Sequence, residues 1–487
     1  MRVQYVVRVM LGAWVLAAAA PAMQGLPDPA TIPPDKRLAA VNRLFESRDG
    51  AETDRHYRSA AEKYRATHDK EAFGVGVGGA GAEADWEAGG WLDNNDSVLC
   101  VRFDWPGERV AIVDRWLKVN ADALTALRQA TQGQRWHRAY ESKSGRLADV
   151  DHTAGLVAFR RLARLRALAA ARLAVDGRWD EAALEGAQNL RSAGHLRAAP
   201  LMMLQVTAGS IQDLAVEQLI ALLPHLSADG LKRVQAACRA AEGLPAASEG
   251  QATWAERLYM LDLIEQYHEW ARDASRHPHL AEQLDSFLAL HESAKDTGLE
   301  LAGLKFEPSS FESLDAFRAA VLKTTPEASW RAFLEQEAAY EAWAAEPLHA
   351  ALPKRAALGE CLRQLAGQDP VCRLFGDLDP FGVGHFRVLR ATRAARRSAL
   401  AVLIALHQHR AQHGDWPATL DALTPALLIS LPKDPFTGRS LRYVRTEAGF
   451  VLYSVGEDQA DGGGVRGEGA AGDLVFWPAA IPDYREP

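Results

Sequence analysis

The chain has 487 residues, with Lys+Arg 55 against Asp+Glu 63, a formal net charge of −8, and 48% hydrophobic and 24% charged residues. That length exceeds what one small core needs, so two or more domains are expected. The balance is that of an ordinary globular protein and lacks the basic excess a nucleic-acid partner demands, so no nucleic-acid partner is expected.

The chain opens with a pattern that matches a secretory signal over residues 1–22. Arg2 and Arg8 supply positive charge, Val9 to Ala20 is an uncharged apolar run, and Ala20-Pro21-Ala22 offers small residues for cleavage. The run is shorter than the roughly 20 residues a membrane span needs. The expected mature protein is periplasmic or secreted, with no integral membrane span. Its four cysteines, Cys100, Cys238, Cys361 and Cys372, form no CxxC pair, which excludes zinc-ribbon and thioredoxin motifs. Cys361 and Cys372 are close enough in sequence for a local disulfide in an oxidising compartment; two buried thiols are the alternative.

Residues 34–70 read as helix. The stretch 73–90, FGVGVGGAGAEADWEAGG, reads as a Gly-rich loop. It contains a formal GxGxxG at Gly74, Gly76 and Gly79, but no strand precedes it and no helix opens from it, so dinucleotide binding is not expected. From Val110 to Gln368 the pattern is almost wholly helical. Leu162, Leu165, Leu168 and Ala169 recur at helical spacing, Asp176-Gly177 punctuates, and Leu201, Leu204, Ile211, Leu214 and Leu219 mark the buried side of a further helix. Later helices are expected over Gln251–Asp273, Leu280–Ala294, Glu312–Lys323, Ser329–Ala345 and Pro353–Gly367, with Trp254, Trp270, Trp330 and Trp343 in the core. No clean 34-residue repeat accompanies the Gly-Arg-Trp-Asp-Glu-Ala turn, so residues 23–368 read as an irregular antiparallel helical array. The segment looks like part of a broad group of bacterial envelope proteins, a resemblance that carries no activity with it. Residues 369–384, rich in Pro, Gly and Asp, read as a linker.

Residues 385–487 read as a small α+β domain. Phe386 to His413 is a helix with Leu389, Leu400, Leu403 and Ile404 on its apolar side, ended by Gly414. Asp415-Trp416-Pro417 turns the chain toward a short helix near Leu420–Leu428. Leu431-Pro432-Lys433-Asp434-Pro435-Phe436 follows, then strands over Leu441–Thr446 and Phe450–Val455, and a closing strand in Asp473–Trp477.

This order of a helix, a Gly-Asp-Trp-Pro ending, an Asp-Pro-aromatic step and a hairpin resembles the globular half of type II secretion major pseudopilins. The resemblance covers residues 386–477. It implies a pseudopilin-like fold, a long helix plus a short antiparallel sheet, and a calcium-binding loop in Gly456–Gly464. Asp458 matches the family's acidic position best; Asp461 and Asp473 are further candidates, and Val455 is a candidate carbonyl donor. The flexible acidic loop suits a hard cation that takes six to eight oxygens. The pseudopilin leader, its Gly-Phe-Thr-like site and its long apolar helix with a glutamate have no counterpart here. The domain is therefore expected as a graft, not as a polymerising subunit.

Catalytic motifs are incomplete. His268-Glu269 and His291-Glu292 begin HExxH-like words, but Arg272 and Lys295 occupy the second histidine position. His409 and His413 share a helix face without a third ligand, and there is no GxSxG. The expectation is a non-enzymatic interaction or scaffold protein with a protein partner, linked to a secretion or pilus-like system. The alternative is a hydrolase with a dispersed active site in the helical domain.

Overall fold

The computed structural model describes residues 25–68, 98–150, 153–282, 284–285, 300–301, 304–305, 311–377, 384–447, 449–467 and 472–479. The signal segment at 1–22, the Gly-rich loop at 73–90 and most of the helix expected over Leu280–Ala294 lie outside them. Among the described residues the chain is mainly α-helical, with a three-stranded antiparallel sheet near its C-terminus, as the sequence pattern indicates.

The first helical stretch is two helices, α1 (Pro34–Arg43) and α2 (Arg48–His68), where one was expected. Ser47 breaks it: its hydroxyl accepts the Gly50 N–H at 3.1 Å, an N-cap that starts a new helix. Phe45, in the break, packs against Trp136 and Tyr140. α3 (Gly107–Val119) and α4 (Ala121–Ala130) follow. Residues 131–150 then run without α-helix, against the expectation of near-continuous helix from Val110. Side chains of distant helices satisfy this backbone and its polar groups. Asn42 brackets Tyr140 by accepting its N–H and donating to its carbonyl. Asp54 accepts from Trp136 Nε1 and Arg138, and Asp262 accepts the Ala148 N–H.

The central array is α5 (Thr153–Val175), α6 (Trp179–Leu196), α7 (Met202–Leu222), α8 (Ala228–Glu242) and α9 (Glu249–Arg272). Gly177, with φ +74°, makes the α5–α6 turn. α7 is apolar enough by length and composition to cross a membrane, yet most of it is buried inside the protein, between α5, α6 and a later helix. It is a core helix. α9 begins with a capping box, Ser248 accepting the Gln251 N–H and Gln251 accepting the Ser248 N–H. A two-residue-per-strand hairpin, β1 (Glu300–Leu301) and β2 (Leu304–Lys305), interrupts the helical order. Then come α10 (Leu314–Val321), α11 (Pro326–Ala344), α12 (Leu348–Ala351) and α13 (Arg355–Ala366). Trp254, Trp270, Trp330 and Trp343 are all buried.

The range expected as a linker, 369–384, contains α14 (Pro370–Asp377). Asp369 caps it by accepting the Val371 and Cys372 N–H groups, and Val371, Cys372, Leu374 and Phe375 are buried in the core around α9 to α11. This also rules on the cysteines. Cys372 points inward, Cys361 is exposed, and the Cys361–Cys372 disulfide does not form.

α15 (His385–His413) ends at Gly414 with φ +80°, as its sequence implies. Only a 3-10 turn, Leu420–Leu423, stands where a helix to Leu428 was expected. β3 (Arg442–Thr446), β4 (Gly449–Ser454) and β5 (Leu474–Trp477) pair antiparallel in the order β3-β4-β5. The sheet packs on α15 through Phe450, Leu452 and Phe476, and Phe436 is buried beneath it. His407 meets Trp416 and Trp477 edge-on. α15 is covered on its other side by α7 and α8. One continuous core therefore joins Ala187, Leu190, Val216 and Val234 of the array to Leu400, Leu403, Leu452 and Phe476 of the C-terminal part.

Candidate functional site

The acidic loop lies between β4 and β5. Val455 is buried at the end of β4 and belongs to the core. Gly456 follows with φ +75°, and a Cβ there would sit 2.8 Å from the Gly472 carbonyl. Asp458 accepts the Ala460 N–H at 3.0 Å and the Gly472 N–H at 2.7 Å. Asp461 accepts the Tyr453 hydroxyl at 2.9 Å and the Gly463 N–H at 3.1 Å, and pairs with Arg442 at 3.3 Å. Asp473 is buried and accepts the Gly462 and Gly464 N–H groups at 3.3 and 2.6 Å. The N–H donors hold the Asp458 carboxyl below the usual carboxylate range, and the Tyr453 hydroxyl with the Gly463 N–H does the same for Asp461.

Each carboxylate thus spends its oxygens on closing the loop. Among the described residues no group of three His, Cys, Asp or Glu side chains gathers where a metal ion could be held. In this arrangement backbone N–H groups of the loop supply most of the hydrogen bonds to Asp458, Asp461 and Asp473, while the Tyr453 hydroxyl and Arg442 complete Asp461, and Val455 is buried in the core. The loop also fastens to the helical array. Gln459, at φ +58°, donates to the His349 carbonyl at 2.8 Å, and Glu457 pairs with Arg355.

A serine, a histidine and an aspartate do meet in the helical array. His268 Nε2 lies 3.0 Å from Ser329 Oγ, which donates to Asp369 at 2.7 Å. The order is wrong for nucleophilic catalysis, where the carboxylate orients the histidine and the serine stays free to attack. Here Ser329 sits in the middle, fully buried, and Asp369 is the cap of α14. Tyr57, Ser192 and His195 form a second buried network. Burial pushes His195 down to about 4, so it stays neutral.

A cavity of about 300 Å³ opens where α7, the first turn of α9 and α15 meet. Arg197, Arg390, Arg393 and Arg397 line it. A second, of about 120 Å³, shares Arg197, Gln212 and Arg397 with the first and is otherwise lined mainly by apolar side chains. Glu249 and Glu256 also line the larger cavity, and two of its four arginines already hold carboxylate partners. Asp213 takes Arg393 at 2.9 Å and Arg396 at 3.3 Å; Glu249 takes Arg390; and Glu256 accepts the Met202 N–H at 2.6 Å as the cap of α7. Glu242 pulls on Arg197 and Arg397 by charge, but forms no ion pair with either.

Arg197 and Arg397 are the under-compensated pair. Arg397 donates to Gln212 Oε1 at 3.1 Å and Arg197 to the Ala241 carbonyl at 3.2 Å. Burial lowers both guanidiniums below their ordinary value, and Arg397 lowers Arg197 further. Arg197 Nε and Gln212 Nε2 are buried donors without a hydrogen-bond partner among the described residues, and Gln212 is only 4% exposed. Unmade buried donors are costly, and such donors beside two guanidiniums suit an acceptor of negative charge. Gly209 belongs to the same construction: a Cβ there would lie 2.1 Å from Arg393 Nη1. A mid-helix glycine costs about 1 kcal/mol relative to alanine, and here it makes room for that guanidinium.

Opposite the apolar side expected for α15 from its sequence lies a second, basic feature. Arg387, Arg390, Arg393, Arg396 and Arg397 recur at helical spacing, and that stripe was the available signal. Compared with protein-family models, with curated proteins and with solved structures, the chain matches none.

Proposed function

We propose that this is an exported, non-enzymatic interaction protein that binds a small anionic ligand in the arginine-lined pocket between the helical array and α15. The observation that carries this is the Arg197–Arg397 pair, in which Arg197 Nε has no hydrogen-bond partner, with the buried Gln212 Nε2 likewise unmatched beside it. The pocket walls favour binding over reaction. Cys238 is pushed up to about 12 by burial, away from the thiolate form. Ser248 and Glu256 are engaged as helix caps. An anion there would neutralise charge between α7 and α15 and so tie the C-terminal module to the array.

The module itself is proposed as pseudopilin-like. Its long helix, Gly414 cap, buried Phe436 and three-stranded antiparallel sheet support that relation. Edge strand β3, with exposed Val444, is the side offered to a protein partner of a secretion or pilus-like system. Ligand binding is tested by thermal unfolding of the full chain in phosphate against chloride at equal ionic strength. A saturable rise in melting temperature, lost in Arg197→Gln and Arg397→Gln, supports the site. An identical response in wild type and both variants contradicts it.

A further inference from the structure

We infer that the ligand of this pocket is an amphiphilic organic anion, a carboxylate with a short aliphatic arm. This rests on the pocket being an anion site and goes on to its shape. The two cavities share one wall, made by Arg197, Gln212 and Arg397. Beyond that wall the smaller cavity is lined mainly by apolar side chains, Leu190, Val216, Leu400, Ala401, Ile404 and Leu428 among them, with Gln235, Arg239 and Glu242 also on its lining. A head group at the shared wall accepts from the guanidiniums and from Gln212 Nε2, and a planar carboxylate matches the fork of an arginine. A substituent on that head group then has Leu190, Val216, Leu400 and Ile404 to pack against. A bare inorganic anion satisfies the donors and leaves the apolar cavity unused; a neutral hydrocarbon fills the cavity and leaves the donors unmade. Only a molecule with both parts meets both walls.

The cavity is small, and its floor is the core that joins the array to the C-terminal module. An arm seated there contacts Leu400 and Ile404 of α15 directly. Occupancy would therefore couple to the packing of that helix as well as to charge.

The test is a calorimetric titration of the full chain with acetate, butyrate, hexanoate and octanoate, with 1-hexanol and inorganic phosphate as controls. Affinity is expected to rise about fourfold per methylene up to the length the cavity accommodates, then level or fall. Ala401→Leu, which fills part of the cavity from its wall, should flatten the chain-length series and keep the response to phosphate. If that variant does not fold, Ala401→Val should flatten the series in part. Phosphate and acetate binding with no gain along the series overturns the amphiphile and leaves the anion site standing. Hexanol binding as tightly as hexanoate overturns the anion site itself, and with it this inference. Binding of no probe overturns both.

Discussion

The acidic loop at 455–473 and the arginine pocket beneath α15 hold opposite charges and treat them in opposite ways. In the loop every candidate carboxylate already accepts two hydrogen bonds, mostly from backbone N–H groups of its own turn. In the pocket Arg390 and Arg393 are paired with Glu249 and Asp213, Arg197 and Arg397 have Glu242 nearby without an ion pair, and buried donors remain unmade. The difference lies in what the groups lack: the loop's carboxylates have hydrogen-bond donors within reach, whereas Arg197 Nε and Gln212 Nε2 in the pocket have no acceptor among the described residues.

The largest expected effect lies in the loop. Asp473→Ala removes the acceptor of two N–H groups at a buried position, so it should destabilise the chain by about 3 kcal/mol. Denaturant unfolding measures it, and the loss should be the same with calcium or with a chelator. A loss that calcium reverses breaks the contrast.

The two regions should also respond to pH with opposite sign. Glu256 is pushed up to about 7 by burial, from an ordinary 4.5. Its contribution is present in full below that ordinary value and is lost as pH rises through about 7, amounting to up to about 3 kcal/mol. Asp458 and Asp461 are held below 3.8, so their contribution is present above that value and lost as pH falls through their lowered range. Glu256→Gln should flatten the loss between pH 5 and pH 7 (the windows of about 4.5 to 7 follow from linkage), leaving the acid limb unchanged. A pH–stability profile of the two proteins decides this.

Smaller effects sharpen the same comparison. Arg197→Met should change stability by less than about 1 kcal/mol, or raise it, because a buried charge facing a like charge is removed. A loss of several kcal/mol in urea titration would mean that Arg197 is structural. The smallest is calcium itself: adding it should leave the melting temperature of the wild-type chain unmoved within about 1 °C, since one tightly bound ion would contribute more. Saturable binding abolished by Asp458→Ala would show that the loop opens to take the ion.

Much of the fold could be read locally. The α15 stop at Gly414, the Asp176-Gly177 turn, the hairpin and the closing strand all follow from short-range rules, and the structure has each of them. Most of the misses have tertiary causes. Residues 131–150 stay non-helical because Asn42, Asp54 and Asp262, all remote in sequence, satisfy them. Leu44–Ser47 looked helical by composition, but Ser47 caps the next helix and Phe45 turns into an aromatic cluster. The pocket was the least visible part. Arg197 ends α6 and Arg397 lies in α15, and only the packing of α7 and α8 against α15 brings them together. The arginine stripe on α15 was there to be seen; what it would face was not.

The most direct measurement is a calorimetric titration of inorganic phosphate into the full chain at pH 7.5, beside the Arg197→Gln/Arg397→Gln double variant. Saturable binding to the wild type, with no heat of binding in a folded double variant, is the predicted result. Equal binding to both proteins, or none to either, would contradict the assignment of the pocket between α7, α9 and α15 as an anion site.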